Sequence, residues 1–308
     1  MRALPVGPVH ERPLADPFVV VAGDYLAVGT EDPPPAEGPV FPLLVSPDLR
    51  SWRDTGRVLE RPDPGLGDAF WAPELAEADG RWWLYYSVGH GIRDHHVRVA
   101  VADAATGPYR DTGAVLTPGE RFAIDGHPFR DHDGRWYLYF ARDVLDAERP
   151  GTHIAVVPLA APDRPDGEPV PVLAPYADWQ LYARDREMYG ARYDWHTLEG
   201  PAVVRRHGRY WMTFSGGAWT GDGYAVSWAV ADHPLGPWTP APSGTPALLE
   251  TGSGLLGPGH NSLVESADGD LIFFHSWDAD LTTRRMHVRR IAFDPDGPRV
   301  RAPVGARP

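Results

Sequence analysis

The sequence predicts an all-β protein, a five-bladed β-propeller with four antiparallel strands per blade. Three observations carry this reading. A tight turn centred on glycine, set between apolar and aromatic strand-like runs, recurs at Gly23, Gly80, Gly134, Gly208 and Gly269. Glycine (33) and proline (34) make up more than a fifth of the 308 residues without any low-complexity tract, so they mark frequent turns between short strands. The units also share an internal order, which a β-sandwich does not show.

The elements follow in order. Each turn sits in a hairpin phrase: "VVVAGDYLAVGT", "AEADGRWWLYYSVG", "RDHDGRWYLYFARD", "VRRHGRYWMTFSGG" and "ESADGDLIFFHSWD". Asp-Gly between alternating runs is a strong hairpin signal. The second unit is complete. "WAPELAEA" and "WWLYYSV" form the hairpin, "HVRVAVAD" alternates with period two, and "GPYRDTGAVL" supplies a short fourth strand. The fourth unit repeats this with "YAVSWAVAD" and "LGPWTPA". Aromatics such as Trp82, Trp83, Tyr85 and Trp136 read as packing between blades. The turn glycines are spaced by 57, 54, 74 and 61 residues. The long gap holds residues 177–196, "ADWQLYARDREMYGARYDWH", which reads as an inserted loop before blade four. Residues 1–308 are thus expected to form one propeller domain.

Composition excludes several classes. A net charge of −13 leaves no basic stripe for nucleic acid. No apolar run is long enough for a membrane helix. The first residues lack the apolar core of a signal peptide, which implies a cytoplasmic chain if that start is native and a secreted one if a signal was removed. With no cysteine there is no disulfide, thiolate metal site or cysteine nucleophile.

Nine residues before the turn glycine stand Trp71, Asp125, Glu199 and His260, and seven before the first stands Asp16. Seven and nine have the same parity, so on strands of period two these side chains are expected to share a side. On the first strand of each blade that side is the channel. Asp16 precedes proline, which alone suggests a turn; its phase points instead to the channel. Asp125 lies between Ile124 and a strand, where a carboxylate without a function would be buried unpaired. Glu199 precedes Gly-Pro and an apolar strand, and partial desolvation there suits a general acid. His260 lies among glycines, as a metal ligand or an organiser of water. Glu74 falls out of phase and reads as structural or supporting. Phe70 and Trp71 offer a stacking platform for a sugar ring, with Trp179, Trp195 and Trp219 as weaker candidates. One of Arg284 and Arg285 is expected to face the channel.

The ordered strings "ADPF", "FWAPEL", "AIDGHPF", "LEGP" and "GPGHNS" resemble glycoside hydrolase family 43, over nearly the whole chain. The resemblance implies an inverting glycosidase. Asp16 is then the general base, Glu199 the general acid, and Asp125 the carboxylate that tunes and orients the acid. The expected sugar site uses Phe70, Trp71, His127 and Trp219, to which the resemblance adds Arg284. The resemblance also implies a calcium or sodium ion in the channel, reached from His260 through water, and no organic cofactor. The expected partner is carbohydrate, with no nucleic acid and no membrane. The activity so implied is exo-acting α-L-arabinofuranosidase, with β-xylosidase or β-galactofuranosidase as alternatives. A non-catalytic carbohydrate-binding propeller is the reading from another class.

Overall fold

The structure, a computed structural model, describes residues 4–242 and 244–301. It is built almost wholly of strands. The first sheet is β1 (Ala15–Ala22), β2 (Asp24–Thr30), β3 (Val40–Ser46) and β4 (Arg53–Leu59), paired in that order. The second is β5 (Ala69–Ala78), β6 (Arg81–His90), β7 (Arg93–Ala102) and β8 (Arg110–Val115).

The third antiparallel set is β9 (Ala123–Arg130), β10 (Trp136–Val144) and β11 (Gly151–Ala161), edged by β12 (Arg164–Pro165) and β13 (Val170–Leu173). A hairpin follows, β14 (Leu181–Met188) on the first part of β15 (Ala191–Arg206). The rest of β15 opens the fourth set with β16 (Arg209–Gly216), β17 (Ala225–Ala231) and β18 (Thr239–Pro240). A short parallel pairing, Gly151 with His196 and Thr152 with Thr197, joins the third and fourth sets into one sheet. The last sheet is β19 (Gly259–Ser266), β20 (Gly269–Trp277), β21 (Arg284–Asp294) and β22 (Gly297–Arg301).

The core lies between sheets rather than inside one. Phe41 and Val40 of the first set pack on Leu84 and Tyr86 of the second. Tyr85 and Val97 meet Leu138 and Phe140, and Tyr139 and Val156 meet Met212 and Phe214. Trp211 and Trp228 meet Ile272 and Phe293. Phe273 and Val288 of the last set then meet Val19 and Leu44 of the first. Both faces of a sheet are covered, which is why a strand such as β17, "AVSWAVA", is apolar and buried throughout rather than alternating. Each large side chain so buried contributes about 1.5–3 kcal/mol. The first strands β1, β5, β9, β15 and β19 touch one another in cyclic order. Ahead of β1, the Val9 and Leu14 amides donate to the Met286 and Arg284 carbonyls, which ties the start of the described chain to β21.

The insertion is not a loop. Its Tyr189-Gly190 turn has both residues in the left-handed region (φ 52° and 77°), the geometry of a two-residue hairpin turn. The arm β14 is irregular, with pairing shifts around Ala183 and Arg186, so no strict alternation marks it in the sequence.

Candidate active site

The site is built on a repeated irregularity of the first strands. In each, the pairing register with the second strand slips by one residue: between Ala15 and Phe18, Trp71 and Glu74, Ile124 and His127, Glu199 and Ala202, and Gly259 and Ser262. The first bulged residue is left-handed in every case: Asp16 (φ 48°), Ala72 (46°), Asp125 (60°), Gly200 (56°) and His260 (46°). Asp and His tolerate this conformation better than most side chains, and glycine adopts it freely. The bulges turn the side chains of Asp16, Asp125 and His260 toward one another.

This corrects the phase count. Asp16, Asp125 and His260 are structural equivalents, but Glu199 and Trp71 stand one residue earlier, beside Ala15, Ile124 and Gly259. Counting from the turn glycine presumes an unbroken strand and equal turns, and the strands here have neither.

Asp16 Oδ1 lies 3.4 Å from His260 Nδ1, 3.3 Å from His275 Nδ1 and 3.5 Å from an Arg284 guanidinium nitrogen. Burial disfavours its charge, but the His260 and Arg284 cations outweigh burial and hold it well below the usual carboxylate range. Asp125 Oδ2 is 3.9 Å from His260 Nδ1 and accepts the Gly200 N–H at 2.9 Å. Burial, with the neighbouring Asp16 charge, raises Asp125 to about 6 against the pull of His260. Burial and the Asp125 charge raise Glu199 to about 7. The Tyr224 hydroxyl donates to Glu199 Oε1 at 2.6 Å and works in the opposite direction. For His260, burial is a downward pull that the Asp16 and Asp125 charges overcome, so its imidazolium is favoured. One carboxylate is thus held ionised and another protonated near neutrality, in one cluster.

Two adjoining cavities meet at this cluster. One of about 80 Å³ is lined by Asp16, Asp125, Glu199, Tyr224, His260 and Arg284. The other, about 130 Å³, has Tyr182, Arg186 and Trp195 from the β14–β15 region on its wall. Glu199, Trp71, Ile124 and Trp219 line both. A larger cavity of about 460 Å³ lies farther out, between residues 92–94 and 187–190, where its two acids, Asp94 and Glu187, are both exposed. Trp71 stacks on His95 with ring centroids 3.7 Å apart. The Arg284 guanidinium lies 4.6 Å from the Trp219 ring centre and 5.4 Å from that of Trp277. Its neighbour Arg285 pairs with Asp278 instead, which resolves the register in favour of Arg284.

Two expected sugar contacts are not in the site. Phe70 is buried in the core against Phe41 and the Arg61 guanidinium, because it alternates with Trp71 and points to the opposite face. His127 has both ring nitrogens engaged, Nδ1 with Glu74 Oε2 at 2.7 Å and Nε2 accepting the Val203 N–H at 3.0 Å. It braces β5, β9 and β15, and Glu74 is its partner. Trp179 packs on Gly216, where a Cβ would stand 2.9 Å from its ring. Tyr224 and His275 belong to the site and were not foreseen. Their signal was slight: a polar tip inside an apolar strand run. His275 is buried, its Nδ1 accepts the Asp16 N–H at 3.0 Å, and burial lowers it to about 4. Among the described residues, no three His, Asp or Glu side chains are grouped to hold a metal ion. No helix there is long and apolar enough to cross a membrane.

The family profile described as Glycosyl hydrolases family 43 matches residues 6–298. An extracellular exo-α-(1→5)-L-arabinofuranosidase from Streptomyces avermitilis is 26% identical over 252 residues, 75% of this chain and 49% of its own length. A β-D-galactofuranosidase from Aspergillus niger is 31% identical over 276 residues, 82% of this chain and 70% of its own. The chain thus spans about half the length of the first relative and more of the second. Among solved structures, a thermostable family-43 glycoside hydrolase superposes with a TM-score of 0.83 at 27% identity, covering 100% of this chain and 98% of the other. The match along nearly the whole sequence, together with the shared fold, shows that the chain belongs to glycosyl hydrolases family 43.

Proposed function

We propose that this chain is an inverting, exo-acting glycosidase, an α-L-arabinofuranosidase on arabinose-containing plant oligo- or polysaccharides. The observation that carries the reading is the place of Glu199. It stands on the wall common to the two cavities, raised to about 7, with a firmly ionised Asp16 in the smaller one. The sugar ring fits the side holding Asp16 and the leaving group the side holding Arg186. Glu199 then protonates the departing oxygen while Asp16 takes a proton from the attacking water. The C–O bond to the leaving group breaks as the bond to water forms, in one displacement with inversion. Room for that water calls for carboxyls roughly 6.5–9.5 Å apart. Asp125 keeps Glu199 protonated by like-charge repulsion.

The exo preference rests on the β14–β15 hairpin. The Tyr189 hydroxyl donates to Asp143 at 2.6 Å, and the Arg121 guanidinium lies 4.9 Å from the Tyr189 ring centre, so the hairpin is pinned beside the 130 Å³ cavity. The five antiparallel sets and the core clusters between each neighbouring pair support a five-bladed propeller forming one domain. A calcium or sodium ion in the channel is proposed only as a hydrated ion reached from His260 through water. Dialysis against a chelator tests it, and unchanged activity and melting temperature would remove it.

A panel of aryl α-L-arabinofuranosides, β-D-xylosides and β-D-galactofuranosides, followed by NMR of the first-formed anomer, tests the whole reading. The galactofuranoside arm is the second reading, favoured by the Aspergillus relative. Retention of configuration would overturn the mechanism. Binding of oligosaccharide without cleavage of any glycoside would favour a carbohydrate-binding propeller.

A further inference from the structure

The five left-handed bulge residues have their amides held in a cyclic pattern, and the pattern has one gap. The Ala72 N–H donates to Thr30 Oγ1 at 2.8 Å, the Asp125 N–H to Ser87 Oγ at 2.9 Å, and the His260 N–H to Ser215 Oγ at 2.8 Å. The Asp16 N–H donates to His275 Nδ1 at 3.0 Å. Each acceptor sits on the second strand of the preceding sheet, opposite the residue just before that sheet's own bulge: Thr30 opposite Ala15, Ser87 opposite Trp71, Ser215 opposite Glu199, His275 opposite Gly259. The fifth such position, opposite Ile124, is Ala141. It has no acceptor. The Gly200 N–H, which a side chain at 141 would have served, donates to Asp125 Oδ2 at 2.9 Å.

We propose that Ala141 is a positioning residue: by withholding a hydroxyl, it leaves the Gly200 amide to Asp125 and so fixes that carboxylate beside Glu199. One amide hydrogen serves one acceptor well. A serine at 141 would place its Oγ where Ser87 and Ser215 place theirs. Position 141 is fully buried, and a buried hydroxyl without a partner is costly, so the serine would take the Gly200 amide. Asp125 would then lose a backbone donor that favours its ionised form. It would hold a proton more tightly, and the proton shared by the pair would spend less time on Glu199.

The inference rests on reading Asp125 and Glu199 as a working pair, and its test separates the two. With ¹⁵N-glycine labelling, the Gly200 amide proton of the wild-type chain is expected to shift with the ionisation of Asp125. An amide indifferent to that titration overturns the proposal, whether or not the chain is a glycosidase. Ala141→Ser should abolish the response, whereas Ala141→Gly, which adds no acceptor, should keep it. On a glycoside with a poor leaving group, Ala141→Ser should lower kcat roughly three- to tenfold at little change in KM, a fraction of what a general acid contributes. The loss should shrink with an activated leaving group. A serine variant that folds with an unaltered amide response and pH profile also overturns the proposal. If that variant does not fold, the wild-type titration decides alone.

Discussion

The Tyr224 hydroxyl donates a 2.6 Å hydrogen bond to Glu199 Oε1, so the residue proposed as the general acid is held by a group that favours its charged form. Burial and Asp125 act the other way and prevail. The acid is therefore set between opposing influences, and each can be removed separately.

Removing them should move the alkaline limb of the pH profile in opposite directions. With Glu199 as the proposed acid, activity requires it protonated, so kcat/KM should fall as pH rises through about 7. Tyr224→Phe removes a bond to the ionised form and should shift this limb upward. Asp125→Asn removes a repelling charge and should shift it downward. A kcat/KM profile of each variant on one aryl glycoside checks both signs, and movement in a common direction contradicts the assignment.

Glu199→Gln should cost roughly 10²–10⁴ in kcat on unactivated substrates. Dinitrophenyl glycosides, which need no proton on the leaving oxygen, should recover much of that loss. Asp16→Asn should show no such recovery, because water activation fails for every leaving group. Equal losses on both substrate classes for both variants would count against the division of roles.

The same substitution should stabilise the fold above neutrality. Glu199 is raised from 4.5 to about 7 in the folded chain. The stability it confers is fully present below its unfolded value and is lost as pH rises toward 7. Gln carries no such loss. Glu199→Gln should therefore melt higher than wild type at pH 8, by on the order of 1–3 kcal/mol in stability, with the difference closing near pH 4. Thermal melts at the two pH values are sufficient.

Arg284 is fixed against Trp219 and Trp277 and faces Asp16. Arg284→Lys loses the planar fork that stacks on indole. Substrate affinity should weaken about tenfold or more, as a site with a buried polar partner left unpaired does. The acid limb should also rise, since Asp16 loses part of what holds it ionised. Inhibitor affinity and the profile below pH 5 report the two effects separately.

Replacing residues 182–191 by a short Gly-Ser turn removes the hairpin wall of the 130 Å³ cavity. Products from a linear arabinan should broaden from monosaccharide to a mixture of lengths. An unchanged product distribution and KM would exclude the hairpin from substrate selection.

Much of this was legible in the residues. Regular turns at Gly80 and Gly134 disclosed the repeat, and the repeat brought Asp16, Asp125 and His260 together from distant stretches. The bulges were not legible. Nothing in "AIDGHPF" or "LEGP" separates a bulged strand from a regular one, so Glu199 was given the phase of Asp125 although it stands one position earlier. His127 was misplaced for a related reason. Its burial depends on Glu74 of β5 and Val203 of β15, and a clasp between distant strands leaves no local pattern. Tyr224 carries no such signal because it stands just before β17 and meets Glu199 of β15 only across the intervening β16.

The amide of Asp16 rests on His275, 259 residues farther along the chain. During synthesis the first strand therefore leaves the ribosome long before the groups that hold its carboxylate ionised. Until β20 and β21 have been made and docked, Asp16 lacks the His260 and Arg284 charges and the His275 ring that holds its amide. A nascent or truncated chain, even one whose earlier sheets have folded, carries an incomplete version of the centre proposed to activate water. On the proposed roles, catalytic competence thus arrives only when β20 and β21 have docked on β1.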